Sequence, residues 1–204
     1  MPTRPSKLVS SSAVLVALAI ALLAMTALHF LQPELDPVEE PVSFYVHGSY
    51  GALLTLSLIF FGLASIGSAA GLTDLVSSRA RWSLIIFGTG MVLMAIIPSD
   101  TWFPWEADPS LSGLIHSAIA TISPVFLLDP MAAYAKLRPR DSAAAGKWLF
   151  IAYAVGIAGS AVSLVYGFLV DRAPPAIGIA ERVLAFVAVG WVGLVAWQVR
   201  NTRE

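Results

Sequence analysis

The chain has no cysteine and very little charge. Without thiols there are no disulfides, no thiol redox chemistry and no thiolate metal sites. Imidazole and carboxylate are the metal ligands that remain. Only 12% of the 204 residues are charged, against about 25% in a soluble globular chain. So few charges cannot cover a folded surface, and 57% of the residues are hydrophobic. Lipid is therefore part of this chain's solvent. P-loop, GxGxxG, GxSxG and HExxH motifs are also absent, so nucleotide binding and the common hydrolase chemistries have no motif behind them. A net charge of −1 offers no electrostatic case for nucleic acid, and none is expected as a partner.

What is present is six apolar runs, at about residues 8–31, 49–70, 82–98, 111–134, 148–170 and 183–199. A helix needs roughly 17–25 apolar residues to cross a hydrocarbon core. Backbone polar groups in lipid must be satisfied within their own segment, and a barrel strand would alternate where these runs are solid. The expected fold is all-α: one transmembrane domain over residues 1–204, a polytopic bundle of six helices. Arg4 and Lys7 precede the first run, which exceeds the roughly 7–15 apolar residues of a secretory signal. It is expected to stay as the first helix.

Charge sorts itself between the connections. Ten of the twelve Lys and Arg residues lie in the N-terminus, residues 71–81, residues 135–147 and the C-terminus. Short basic segments stay cytoplasmic, so both termini are expected inside and the protein is expected to be multi-pass in the cell membrane. The other side carries nine acids against two bases, Arg172 and Arg182. Trp102 and Trp105 in an outer connection, and Trp82, Trp148 and Trp197 at inner helix ends, match interfacial aromatic belts. Trp191 falls inside the last helix. Small residues at Ala152, Gly156 and Ser160, and at Gly159, Ser163 and Gly167, give the fifth run a close-packing face.

The segment HFLQPELDPVEEPVSFYVHGSYG, residues 29–51, joins the first two runs on the acidic side. It brings His29 and His47 to one depth, and the remaining histidine, His116, starts the fourth run from that side. Asp100 ends the third. Neutral imidazole is the commonest metal ligand, and three His, or two His and a carboxylate, suit zinc. His29, His47, His116 and Asp100 are thus the metal candidates. Interfacial placement alone also accounts for His29 and His47. His116 lies about one turn inside, where polar groups are costly and usually functional. No two histidines stand four apart on one helix, so no local metal motif exists. A haem pair would need four histidines, and three at one depth leave room for at most one outer haem. The cofactor stays open. Asp129, between Pro124 and Pro130, reads as an inner-interface carboxylate near Lys136 and Arg138, or as a polar site at a prolyl break.

Gln32–Pro37 (QPELDP), Pro41 to Tyr45 (PVSFY), Gly48 to Gly51 (GSYG), Pro98 to Asp100 (PSD) and Gly113 to His116 (GLIH) resemble the domain-of-unknown-function 998 family of membrane proteins. The similarity covers nearly the whole chain and implies six spans with both termini inside. That family often has glutamate where this chain has Phe44. The resemblance singles out Ser43, Tyr45, Asp100 and His116 as ligand-binding candidates, expected to converge in one outward-opening pocket. A looser likeness to ceramidase and progestin-receptor-like membrane hydrolases rests on Ser43…His47 and Ser112…His116, both Ser-x-x-x-His, without the HxxxH element of those enzymes. The expected function is a non-catalytic bundle that binds a lipid-like or other amphipathic ligand, or an accessory subunit of a membrane complex. The alternative is a metal-dependent hydrolase acting on lipid at the outer interface. A transporter ranks third, because paired broken helices in two related halves are not evident.

Overall fold

The computed structural model describes residues 5–103, 106–136, 140–170, 172 and 176–201. Arg4, Trp105, Arg138, Asp171 and Arg203 lie outside the described residues. The helices are α1 (Pro5–Leu31), α2 (Gly51–Gly71), α3 (Ser78–Ile96), α4 (Leu111–Ile122), α5 (Leu128–Ala135), α6 (Arg140–Val170) and α7 (Ile177–Asn201). A short 3₁₀ turn, Val42–His47, precedes α2, and another, Ser123–Leu127, joins α4 to α5. Among the described residues, six helical segments are long and apolar enough to cross a membrane, with α4, the turn and α5 counting as one. No strand occurs among the described residues.

The helix ends follow from local chemistry. Ser77 caps α3, its Oγ accepting from the Ala80 N–H at 3.2 Å, and Ser110 caps α4 through the Gly113 N–H at 3.0 Å. The α3 start at Ser78 therefore precedes the expected residue 82, and α7 begins at Ile177 rather than 183. The fourth span is broken in mid-course, because Pro124 and Pro130 each remove a helical donor. One carbonyl at the break, that of Pro124, accepts from Tyr153 Oη at 3.1 Å.

The start of α1 and the ends of α2 and α7 share one end of the bundle, where Ser11, Gly67 and Val199 line a common crevice. This is the basic end. There Asp129 pairs with Arg79, which donates from Nε at 3.2 Å and from Nη2 at 2.8 Å. The partner of this carboxylate is thus on α3.

The core runs between α1, α2, α3 and α7. Trp191 is fully buried at its centre, edge-on to Tyr134 at 6.0 Å between ring centroids. Trp82, Trp102, Trp148 and Trp197 are all exposed, as interfacial anchors would be. Gly62 of α2 faces Gly88 of α3 so closely that a Cβ at either would meet the other's carbonyl oxygen, at 2.5 Å and 2.6 Å. By contrast α6 rests on α7 and α5 and is the least buried span, with 6% of its most apolar window enclosed. Its small-residue face is packed only in part. A Cβ at Gly156 would meet Leu184, whereas one at Gly159 would meet nothing within 4 Å.

Candidate functional site

The acidic end carries two polar clusters joined by the Val42–His47 turn. The first lies between the end of α1 and the start of α7. Arg182, with 9% of its surface exposed, donates from Nε to His29 Nε2 at 2.8 Å and from Nη1 to the carbonyls of Glu40 and Gly178, each at 2.9 Å. The His29 ring also meets the Met25 carbonyl at 2.8 Å through Nδ1. A carbonyl can only accept, so Nδ1 carries the hydrogen and Nε2 is the acceptor for Arg182. The guanidinium lies over the Tyr45 ring at 5.4 Å, a cation–π contact. Tyr45 is fully buried, and its ring lies 5.3 Å from that of His29.

These bonds also clamp the first loop. Glu181 accepts the Val42 N–H at 2.8 Å, and the Val38 carbonyl accepts the Gly178 N–H at 3.0 Å. Gln32, fully buried, donates to the Tyr45 carbonyl at 3.3 Å. The segment from residue 33 to 42 is thus fastened across the start of α7. Gly178 is needed here, because a Cβ would sit 2.4 Å from the Glu40 oxygen.

Three groups in or beside this cluster have no hydrogen-bond partner: Arg182 Nη2, Tyr45 Oη and Gln32 Oε1. No carboxylate lies within ion-pairing distance of Arg182 among the described residues. The Glu181 carboxylate lies within electrostatic range of Arg182, but a buried cation with no direct ion pair is still expensive, especially at membrane depth.

The second cluster lies where α3 ends and α4 begins. His47 donates from Nε2 to the Ser99 carbonyl at 2.8 Å, and His116 donates from Nδ1 to the Ile97 carbonyl at 2.7 Å. Asp100 accepts from the Ser110 N–H at 3.0 Å and the Ser110 hydroxyl at 2.6 Å. It lies within electrostatic range of His116, as does His47. Ser43 joins through its backbone, its carbonyl accepting from Ser99 Oγ at 3.3 Å.

Of the four ligand-binding candidates, Ser43, Asp100 and His116 gather in this second cluster, while Tyr45 turns to Arg182. The metal candidates divide in the same way. His29 is engaged by Arg182, and both Asp100 oxygens hold Ser110. His47 and His116 each keep one ring nitrogen uncommitted, with the other on a backbone carbonyl as in many metal-bound histidines. No group of three His, Asp or Glu able to hold a metal ion occurs among the described residues. Sequence reasoning counted Arg182 as a loop charge and missed it as a centre. The available signal was a lone base between an acid and an apolar run.

No solved structure matches this chain. A curated relative, tRNA dimethylallyltransferase of Symbiobacterium thermophilum, is 28% identical over 134 residues, which cover 57% of this chain and 42% of that protein. The chain thus spans less than half the length of that relative. The family described as Protein of unknown function (DUF998) matches residues 15–198, and with nearly its whole length so covered, this integral membrane chain belongs to that family.

Proposed function

We propose that the protein is a non-catalytic bundle of the cell membrane. It would take the hydrogen-bond-accepting head of an amphipathic molecule at Arg182, beneath the 33–47 segment. The observation that supports this is the unpartnered Nη2 of a buried arginine, with the unpartnered Tyr45 hydroxyl and Gln32 carbonyl in the same region. The two N–H donors of Nη2 and the Tyr45 hydroxyl suit a carboxylate, phosphate or quinone oxygen. Entry would require residues 38–42 to lift from α7. The hydrolase reading has two uncommitted imidazole nitrogens behind it but no third ligand beside them among the described residues.

The test uses purified full-length protein with dodecanoate and a short-chain quinone as probes, read by thermal shift. At least one should stabilise the wild type. Tyr45→Phe removes a hydroxyl that bonds to nothing, so unliganded stability should hold or rise, while probe affinity should fall about tenfold for a lost bond of roughly 1.4 kcal/mol. Failure of both probes, or Tyr45→Phe binding as the wild type does, counts against the site. One zinc per purified chain would favour the hydrolase.

The same reading puts the acidic end outside. A cysteine at Glu39 should react with an impermeant maleimide on intact cells, and one at Arg140 should not. The reverse pattern would invert the topology.

A further inference from the structure

A second feature stands at the opposite, basic end and does not depend on the outer site. A groove of about 300 Å³ opens between the end of α2 and the start of α3. Ile66, Ala69 and Ile85 form an apolar floor, with Ser78, Arg81 and Trp82 around it. Trp82 is 62% exposed, as befits a ring at headgroup level. Arg81 is half-buried, and its Nε is enclosed with no hydrogen-bond partner. Its neighbour Arg79 is paired with Asp129, whereas Arg81 makes no ion pair among the described residues. A cation is therefore held at the membrane edge, beside an apolar trough, with part of its donor fork unused.

We infer that this groove binds an anionic phospholipid of the leaflet at the basic end. A guanidinium fork matches phosphate oxygens bidentately, and the Ser78 hydroxyl adds a further donor. The trough takes the first carbons of an acyl chain, whose remainder stays in the bilayer. A volume near 300 Å³ is at the small end of ligand sites, enough for a headgroup and a short stretch of chain but not for a whole lipid. Apolar residues dominate the lining, which favours a phosphate with a tail over free phosphate. Arg79 and Arg81 at the start of α3 and Arg200 at the end of α7 lie at this end, and basic pockets between helices suit acidic headgroups.

Native mass spectrometry of the full-length protein tests this, with phosphatidylglycerol, phosphatidylcholine and inorganic phosphate titrated separately. Phosphatidylglycerol should bind at least tenfold more tightly than phosphatidylcholine, and inorganic phosphate should not compete at equal concentration. Arg81→Gln should reduce phosphatidylglycerol to the phosphatidylcholine level, while Arg79→Gln, whose partner is Asp129, should leave it unchanged. Equal binding of the two lipids by the wild type overturns the proposal whether or not a variant folds. So does an Arg81→Gln protein that keeps its preference. Effective competition by inorganic phosphate would instead make this a free-anion site.

Discussion

Arg182→Ala should cost the protein about 3 kcal/mol and release the first loop. Three acceptors lose their donors at once: His29 Nε2 and the carbonyls of Glu40 and Gly178. A buried acceptor left unsatisfied costs roughly 1–3 kcal/mol. Removing a desolvated cation with no direct ion pair returns part of that, so the lower end of the summed range is expected. Hydrogen exchange should quicken at residues 38–42, where Val38 and Val42 bond to α7, and stay unchanged at α3, whose contacts do not involve Arg182. Denaturation in detergent gives the stability. A variant as stable as the wild type, with the loop still protected, would show that Arg182 does not hold the roof.

Gly62→Leu and Gly88→Leu should each prevent recovery of monodisperse protein. The two glycines face each other across α2 and α3, and a Cβ at either meets the partner's carbonyl oxygen at 2.5 Å or 2.6 Å. Overpacking a core against side chains typically costs about 1–3 kcal/mol, because rotamers shift. A helix carbonyl has no rotamer, so α2 and α3 would have to separate along their length. They also carry the Phe61–Phe87 contact, at 5.6 Å between centroids, which that separation would break. In lipid, close approach is itself the source of helix association, so little remains to compensate. Gly159→Ala is the matched control. Its Cβ would meet nothing within 4 Å, and alanine is the better helix former, so yield and stability should hold or improve. Size-exclusion chromatography separates the outcomes, and a monodisperse Gly62→Leu protein would contradict the glycine contact.

The six spans were legible because solid apolar runs have no other stable form in a membrane. The errors share one cause. Where polar residues belong to a helix, a hydropathy reading stops short. Arg79 and Arg81 hid the first turn of α3, and Glu181 and Arg182 hid that of α7. The break in the fourth span was half legible, since Pro124 and Pro130 marked it without showing the 3₁₀ turn between them. The clusters were legible by depth but not by partner. His29, Tyr45, Asp100 and His116 share one end of the bundle, as their depth suggested, yet nothing in the sequence pairs His29 with Arg182, 153 positions away. Counting loop charges treats each base as interchangeable. Burial separates Arg182, which clamps a loop, from an exposed base such as Arg79.

The sparse contacts of α6 have a mechanical consequence. Its 31 residues at 1.5 Å rise extend about 46 Å, well beyond a hydrocarbon thickness of roughly 30 Å. A helix longer than its bilayer tilts or projects. The spans around Trp191 are locked together and resist reorientation, whereas α6 has one lightly held flank and is free to lean. A thinner membrane should be absorbed at α6, by a change of tilt against α7, before it deforms the clusters at the acidic end. The fold thus separates a stiff body that preserves site geometry from a single compliant stave that takes up variation in bilayer thickness.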